Sequence, residues 1–551
     1  MKTLQIKMRQ TLLLLAILIS GTALLAQDIT FNSTCNDDRR SIRYSDSFTD
    51  YDVQVKGDVS VNDDDTRITA ITPGGYLKIS KKTFGNRRAI IIESDSKGSL
   101  TYEYYEGRKE VPYDPEGKKW LADVLLEVVR ISGIAAEDRT KRIYNKGGID
   151  AFLKEIHMIE SNTVMGAYFS ALFDQFKLNE NETMAACEAI GSEISSNTER
   201  GSLLRKYSDQ FMQSNATMVV YFKSISKLSS NTERGSVLRK ISKEIDFNDP
   251  KIISAYFGCV DGMSSNTERG SVLRNLEKTQ DLSEGAYVRL LQSVKHFSSN
   301  TEMGLVMRSL ENLNMQNPEI TTEFFNAVNS MSSNTEAGLT LRHILKRHEL
   351  SDENMLKLLQ SVKHLTSNTE TDAVMTSIRK INLSNEQVNT SYFNVINMMT
   401  SNTSAGSVLR YTVKNHNMPN NAWKSYFSVA GHLTSNTEMG SVLRAAIPAM
   451  PHDQAVLDAF FASTRMFTSN TEHGMVLRAV VKDSKFDKAS CMGVLESAKM
   501  LISNTEKSTV LSEVAKTSFI TDKEVKDKYM ELAKTLTSNT DYRNAVDRIL
   551  N

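Results

Sequence analysis

One ten-residue motif recurs along most of this chain at a nearly fixed interval. Its fullest form is Ser-Asn-Thr-Glu-Arg-Gly-Ser-Val-Leu-Arg, from Ser230 to Arg239. With the Asn as position zero, the copies fall at 162, 197, 231, 266, 300, 334, 368, 402, 436, 470, 504 and 539, always 34 or 35 residues apart. A fixed period of this length is typical of stacked repeats and argues against a single compact core.

Each copy carries the start signal of a helix, called helix A below. Ser at −1 and Glu at +2 form a capping box, in which the Ser hydroxyl accepts from the N3 amide and the Glu carboxylate accepts from the N-cap amide. Apolar residues at +6, +7 and +10, such as Val237, Leu238 and Ile241, lie on one helical face. The pattern therefore predicts a helix A at every copy.

The rest of each repeat predicts a second amphipathic helix, called helix B. One of its start signals is Asn317-Pro318, and Pro is favoured at a first helical position. Apolar residues recur at −10, −9, −6 and −3, as in Phe324, Phe325 and Val328. The tetratricopeptide residue pattern is absent although the length matches it. We therefore predict a mainly α protein, an α-solenoid of 34-residue helical-hairpin (HEAT-like) repeats preceded by a small antiparallel β domain.

Residues 1–26 have the pattern of a secretory signal peptide. Basic residues precede an unbroken apolar run from Leu12 to Ile19, and small residues lead to a cleavage site expected after Ala26. The alternative is an N-terminal anchor, but the run is shorter than the roughly 20 residues that a membrane span needs. We expect an exported protein, periplasmic or extracellular, with no membrane span after the leader is removed.

Residues 27–113 predict the β domain. Residues alternate from Tyr51 to Val61, and short apolar runs follow between turn signals. One of these signals, Asp63-Asp64-Asp65, predicts a solvated turn, with weak calcium binding as the alternative. Residues 114–147 predict linking helices that end at Gly147-Gly148, and residues 148–551 predict the α-solenoid with its twelve Ser-Asn-Thr copies.

The N-terminal part carries a resemblance to a known bacterial module. The segments that carry it run from Val55 to Val59, from Ile71 to Leu77 and from Leu100 to Tyr104, and end with Trp120-Leu121. Together with the repeats, they resemble the extracytoplasmic region that follows the peptidase part of BlaR-like M56 sensor proteins. The repeats there often read Ser-Asp-Tyr-Glu where this chain reads Ser-Asn-Thr-Glu. The peptidase motif His-Glu-x-x-His is missing, so the resemblance implies no peptidase activity.

Composition gives little support to several function classes. Lys plus Arg and Asp plus Glu both number 66, so the net charge does not indicate nucleic acid. The four Cys match no zinc or redox spacing, and Cys187 and Cys259 are interpreted as small core residues. His296, His364 and His432 share position −4, which favours a surface or packing role over metal binding. We expect no cofactor and no metal.

Three positions of the motif have both a structural and a functional interpretation. Gly at +4 is unfavourable inside a helix, which indicates close approach of a neighbouring helix, with ligand approach as the alternative. The repeated Asn can satisfy backbone groups between layers, because its amide both donates and accepts. Gly occupies +4 in nine copies, among them Gly235, Gly270 and Gly304, and the Asn residues include Asn197, Asn231, Asn266, Asn300 and Asn334.

The third position is Arg at +8. We favour a ladder in which each Arg pairs with a Glu or a helix-end carbonyl of the adjacent repeat, since Glu and Arg mostly occur together. The alternative is a basic row that binds an acidic polymer or peptide carboxylates. The candidate binding residues are Arg205, Arg239, Arg274, Arg308, Arg342, Arg410, Arg444 and Arg478.

The sequence thus favours an exported, non-enzymatic repeat scaffold that binds a protein or peptide partner in the bacterial cell envelope. Repeat proteins present extended binding surfaces, and helix B varies most between copies. One alternative is an envelope hydrolase with a site between the β domain and the first repeats, near His157. The other is a binder of an anionic polysaccharide through the Arg row. No Ser/His/Asp or Cys/His set occurs in a suitable local context.

Overall fold

A computed structural model describes residues 30–36, 39–46 and 48–550 of the chain. It confirms a mainly helical repeat protein with a small antiparallel β region at its N-terminal side. The predicted signal peptide lies outside the described residues. The chain divides into two compact units: residues 1–246 with 254–263, and residues 247–253 with 264–551.

The β region of the first unit is larger than the sequence indicates. Seven antiparallel strands form one sheet in the order β1-β2-β3-β6-β7-β8-β9, and β4 pairs with β5 in a separate hairpin. The strands in the described residues are β1 (Thr30–Asn36), β2 (Arg39–Ser45), β3 (Thr49–Lys56), β4 (Val59–Val61), β5 (Ile68–Ile71), β6 (Tyr76–Thr83), β7 (Asn86–Ser94), β8 (Leu100–Glu106) and β9 (Lys109–Val111).

The single strand expected from Tyr51 to Val61 is two strands. Gly57 has φ of +78°, which ends β3 and turns the chain into the β4–β5 hairpin. That hairpin interrupts the meander, so β3 pairs with β6, and Val53 lies opposite Ile79. The sequence also missed β1 and β2, because Ile42 is the single fully buried residue described in β2 and apolar alternation is therefore weak there.

The sheet and the first helix share one hydrophobic core. Helix α1 (Lys118–Ser132) ends at Gly133, whose φ is +68°, and it buries Trp120, Leu121 and Leu125. These side chains belong to the same buried cluster as the sheet residues Val53 and Ile90. The change from strands to helices near residue 113 therefore does not separate two cores.

All twelve predicted A helices are present, and each begins at the repeat Asn. They are α3 (Asn162–Gln175), α5 (Asn197–Lys206), α8 (Asn231–Ile241), α10 (Asn266–Thr279), α12 (Asn300–Ser309), α14 (Asn334–Arg347), α16 (Asn368–Met375), α18 (Asn402–Asn415), α20 (Asn436–Ala446), α22 (Asn470–Val481), α24 (Asn504–Val514) and α26 (Asn539–Leu550). In the third copy, for example, the Ser230 hydroxyl accepts from the backbone N–H of Glu233 at 3.3 Å.

The B helices alternate with the A helices. They are α2 (Ala136–His157), α4 (Glu180–Glu193), α7 (Asn215–Ser226), α9 (Pro250–Asp261), α11 (Glu284–Val294), α13 (Pro318–Asn329), α15 (Asp352–Lys363), α17 (Glu386–Asn397), α19 (Asn420–Gly431), α21 (Gln454–Thr464), α23 (Lys488–Ala498) and α25 (Lys523–Ala533). A short extra helix, α6 (Ser208–Phe211), precedes α7. Helix α2 is kinked where Gly147 and Gly148 leave helical geometry, the break predicted there.

Within each unit the repeats pack like on like. Each A helix packs against the next A helix and each B helix against the next B helix, as for α10 with α12 and α11 with α13. The paired aromatic positions of helix B form the core, for example Phe324 and Phe325, which are 1% and 3% exposed. This burial leaves the opposite faces of the B helices to solvent.

Candidate binding surfaces

The side-chain amide of the repeated Asn forms hydrogen bonds with the start of the next repeat, and at Asn300 there are three of them. At Asn300, the side-chain oxygen accepts from the backbone N–H groups of Ser332 (2.8 Å) and Ser333 (3.3 Å). Its amide nitrogen donates to the Ser332 hydroxyl at 2.9 Å. The same donor bond recurs from Asn197, Asn266, Asn334, Asn368, Asn402, Asn436 and Asn504. Asn231 begins α8 in the same motif position.

This Asn ladder changes the role of the Glu at +2. The N-cap amide that a capping box would assign to Glu, such as the N–H of Ser333, is bound by the Asn of the preceding repeat. The Ser half of the predicted capping box is present at Ser333, but the Glu half is wrong. In the described residues, complete capping boxes occur instead at two B helices, at Asn179 and Ser214.

The Glu at +2 contacts the Arg at +8 of the preceding repeat. Arg308 Nη1 donates to Glu336 Oε2 at 2.8 Å, and Arg444 donates in the same way to Glu472 at 2.8 Å. The other pairs of this kind are Arg205–Glu233, Arg274–Glu302, Arg342–Glu370, Arg410–Glu438 and Arg478–Glu506. Arg239 occupies the equivalent position of α8 and is half-buried. The row is the ion-pair ladder that the sequence favoured.

The Gly at +4 makes room for that Glu. A Cβ added at Gly304 would lie 2.2 Å from Glu336 Oε2, and one at Gly270 would lie 2.4 Å from Glu302 Oε2. Similar distances, between 2.3 and 2.5 Å, hold at Gly201, Gly338, Gly406, Gly440 and Gly474. Gly235 occupies the same position of α8 and is buried. The close approach is therefore to a carboxylate of the neighbouring repeat.

The ladder limits what the Arg row can bind. The paired Arg side chains are between 17% (Arg478) and 33% (Arg444) exposed, and each has a carboxylate partner. A polymer of acidic groups would have to compete with a partly buried, charge-assisted hydrogen bond at every step. Binding by this row stays a prediction of the sequence, and in the paired repeats each Arg already donates from Nη1 to a Glu.

At the interface that begins at Asn368, all three ladder residues are replaced together. In the copy at Asn368, position +4 is Asp372 and position +8 is Thr376, and the next copy has Ser404 where Glu is expected. The pKa of Asp372 is raised, because burial outweighs the opposing effect of its hydrogen bond with Ser407. Gly, Arg and the following Glu are thus absent as a set, which is the pattern expected of three parts of one contact.

A second set of arginines, at +3, was missed by the sequence analysis. Arg200, Arg234 and Arg269 are only 6–8% exposed. They bind carbonyl groups at the C-terminal ends of B helices: Arg200 Nη1 donates to Lys227 O and Arg269 Nη1 to His296 O. Helix C-termini favour cations, which explains how these buried charges are tolerated. Burial lowers the pKa of Arg200 and Arg234.

A buried ion network joins the β4–β5 hairpin to α2. Arg139, 1% exposed, donates from Nη2 to Asp65 Oδ2 at 2.9 Å and from Nη1 to Glu155 Oε1 at 3.0 Å. Asp65 is 8% exposed and has φ of +52°. The solvated turn predicted for the acidic triplet is therefore wrong at Asp65, because a distant Arg covers it, whereas Asp63 and Asp64 are exposed.

The histidines and free cysteines that the structure describes do not assemble into a metal site. His296, His364 and His432 are exposed at the ends of their B helices, and His157 lies 3.4 Å from Glu193 Oε2. Cys187, Cys259 and Cys491 are free and buried, and burial raises the pKa of each thiol to about 12. Among the described residues, no group of three or more His, Cys, Asp or Glu could hold a metal ion.

An open groove crosses three neighbouring B helices in the second unit. It has a volume of about 580 Å³ and is lined by residues of α21, α23 and α25. Phe461 and Met492 line it with apolar atoms above the buried Leu457, while Arg465 and Lys528 belong to its charged rim. Phe461 lies against the backbone of Gly493, where an added Cβ would be 2.2 Å from the ring. The groove is therefore cut into the variable part of the repeats.

The rim of this groove has one cation that is not neutralised by an ion pair. Lys488 pairs with Asp522 and Glu524, and Lys528 pairs with Glu496. In the described part of the chain, Arg465 forms no salt bridge, and its Nε donates to Phe461 O at 3.3 Å. Arg465 is exposed, so its remaining donors face solvent beside an apolar surface.

No family model and no curated protein matches the sequence. Among solved structures, the chain is similar to a homology model of the full-length AP-3 complex in an intermediate open conformation. The identity is 13%, the alignment covers 78% of this chain and 86% of that chain, and the TM-score is 0.25. A crystal structure of the exomer cargo adaptor complex gives 10% identity, 86% and 84% coverage, and a TM-score of 0.15. These scores are too low to indicate a shared fold.

The part of the chain that the structure describes contains no candidate membrane-spanning helix. None of its helices combines the length and the apolar character that crossing a bilayer requires.

Proposed function

We propose that this protein is an exported, non-enzymatic repeat scaffold that binds a protein or peptide partner. The observation that carries the proposal is the groove across α21, α23 and α25, which combines apolar surface with a charged rim. The motif residues are engaged in contacts between repeats, so recognition falls to the side chains of helix B that differ from copy to copy.

The groove suits an extended or helical segment of a partner. Its volume of about 580 Å³ lies within the range of roughly 300–1,000 Å³ that ligand sites occupy. Phe461 and Met492 would contact apolar side chains of the segment, and Arg465 would bind one of its carboxylates. We therefore infer a segment with an acidic residue next to an apolar one.

The place of action that we propose is the bacterial cell envelope. The support is the leader-like pattern of residues 1–26 and the resemblance of residues 50–160 to the extracytoplasmic part of BlaR-like sensors. A role in envelope sensing follows from that resemblance alone. Cell fractionation of the full chain and of a chain lacking residues 1–26 tests export, since only the full chain is expected outside the cytoplasm.

Binding is tested with a random peptide library displayed against the purified protein. We expect enriched peptides that contain an acidic and an apolar residue, and at least about tenfold weaker binding to Arg465→Ala and to Met492→Trp, which fills the groove. Arg379→Ala removes an exposed Arg of the same unit outside the groove and is the matched control. Equal affinity for all four proteins would contradict the proposal.

A further inference from the structure

A second cavity lies in the first unit, where the sheet meets α1 and the connection from α2 to α3. Its volume is about 340 Å³. Tyr44 of β2, Leu126 and Ile131 of α1 and Met158 after α2 supply its apolar surface. Leu126 and Met158 are 37% and 56% exposed, although both side chains are large and apolar. The cavity therefore offers an apolar wall that no other part of the described chain covers.

Carboxylates surround this wall. Asp123, Glu127 and Glu160 line the cavity. Glu127 accepts from Lys81 Nζ at 3.0 Å and Glu160 accepts from the Tyr44 hydroxyl at 3.3 Å. Asp123 is exposed and has no ion-pair partner in the described residues. The negative charge of Asp123 is thus available to a ligand.

The single cation of the cavity wall does not neutralise these carboxylates. Arg130 is held by Glu155, with its Nε and Nη2 donating to the two carboxylate oxygens at 2.9 and 2.7 Å. Consistent with a negative surrounding, burial and then the charge of Glu160 raise the pKa of Tyr44 to about 12. A group that enters the cavity meets an apolar wall and an excess of negative charge.

The size of the cavity and its surroundings indicate the kind of ligand. A volume of about 340 Å³ is near the lower limit of ligand sites, roughly 300 Å³, and suits one long side chain. The cavity shares Arg130 and Met158 with a shallow depression of about 830 Å³ along α2, which Leu153 and His157 also line. A polypeptide lying in this depression could place one side chain in the cavity.

We propose that the cavity binds a Lys or Arg side chain of a polypeptide partner. The aliphatic stem would contact Leu126, Ile131 and Met158, and the cationic end would lie beside Asp123 and Glu160. Basic side chains bind in this way because their stems are apolar while their ends are charged. This site belongs to a different unit from the groove on α21, α23 and α25 and does not depend on it.

The test uses the purified full chain and two short peptides. One contains a single Lys between Gly residues, and the other contains norleucine at that place, which keeps the stem and removes the charge. At low ionic strength, we expect the Lys peptide to bind at least about tenfold more tightly than the norleucine peptide. Binding of the Lys peptide should weaken as salt is added. Asp123→Asn and Glu160→Gln should each weaken it about fivefold.

Two variants separate this site from other effects. Met158→Trp narrows the cavity and should abolish binding of the Lys peptide, whereas Glu110→Gln, an exposed acid on β9, should leave it unchanged. Equal binding of the two peptides, or no saturable binding of either, would overturn the proposal. Hexylamine that binds as tightly as the Lys peptide would overturn the polypeptide source. Arg465→Ala should not change this binding, so the two sites fail or hold separately.

Discussion

At Gly304, the neighbouring repeat determines how the added methyl group of an alanine would change the stability of the protein. Alanine is normally better than glycine inside a helix by about 1 kcal/mol. Here its Cβ would meet Glu336 Oε2 at 2.2 Å and Arg308 Nη1 at 2.6 Å. We expect Gly304→Ala to lower the free energy of unfolding by about 1–3 kcal/mol, as overpacking does. Urea denaturation followed by circular dichroism measures this change.

A matched pair of variants isolates the cause. Gly258 also lies within a helix, but an added Cβ would have nothing within 4 Å. Gly258→Ala should therefore stabilise by about 0.5–1 kcal/mol. In addition, Glu336→Ala removes the obstructing carboxylate, so Gly304→Ala should cost much less in that background. An equal cost in both backgrounds would show that the carboxylate is not the obstacle.

His473 makes the stability of the second unit depend on pH. It is 3% exposed, and burial lowers its pKa from 6.5 to about 4. The folded state therefore binds fewer protons than the unfolded state, and stability present above pH 6.5 is lost as the pH falls towards 4. The loss should be on the order of 2 kcal/mol.

The chain itself suggests the variant that tests this. Met303 and Met439 occupy the same motif position in other copies and are buried. His473→Met should fold and should remove most of the extra loss of stability between pH 6.5 and pH 4, which repeated urea titrations across this range would measure. Parallel pH profiles for the two proteins would contradict the assignment to His473.

Residue roles were predictable where their partners recur at the repeat spacing. The Asn ladder and the Glu–Arg ladder use partners in the next repeat, and the Ser cap uses an amide three residues along its own helix, so the sequence displays all three many times. Asp65 and Arg139 are 74 residues apart and meet once, so nothing in the sequence indicates their contact. The same holds for Arg200, whose partners are backbone carbonyls and leave no side-chain pattern.

At the scale of the element, Ile502 marks a defect in the Asn ladder. The Asn436 amide nitrogen donates to the Thr468 hydroxyl at 2.8 Å, but the equivalent position after Asn470 is Ile502, which has no hydroxyl. Ile502 is also 87% exposed. We expect Ile502→Thr to restore the bond and to stabilise by about 0.5–1.5 kcal/mol, measured by urea denaturation.

Ile502→Val is the control, because it keeps an exposed apolar side chain and adds no hydroxyl. It should leave the free energy of unfolding nearly unchanged. A gain that is equal in both variants would mean that the hydrogen bond contributes nothing. Reduced peptide binding by Ile502→Thr with unchanged stability would instead assign this side chain to a contact surface.

Secondary-structure elements were predicted most accurately where their sequence patterns are periodic. The A helices begin where the motif predicts, because each has a Ser N-cap immediately before the repeat Asn. The strands were predicted less well. Their register depends on which strands pair. Along the chain the β4–β5 hairpin lies between β3 and β6, although these two strands pair with each other. The cavity near Tyr44 is formed by parts of three separate segments, so no local pattern predicts it.

At the scale of the whole molecule, the Gly, Arg and Glu of the ion-pair ladder form one contact that is repeated between successive repeats. Gly at +4, Arg at +8 and the Glu of the next copy are all present at the interfaces that begin at Asn300 and Asn436. All three are replaced at the interface that begins at Asn368. Because a solenoid's stability is a sum over neighbouring interfaces, this one should be a weak point in the second unit.

Restoring the ladder at that interface tests the rule. Asp372→Gly, Thr376→Arg and Ser404→Glu together should stabilise the second unit by about 1 kcal/mol, because the added pair is partly buried and charge-assisted. Ser404→Glu alone should destabilise, since it places a second carboxylate beside Asp372 without the space that Gly provides. Urea denaturation and hydrogen exchange at residues 368–415 measure both effects. If the triple variant is no more stable than the sum of the three single changes predicts, the three residues do not act as one contact.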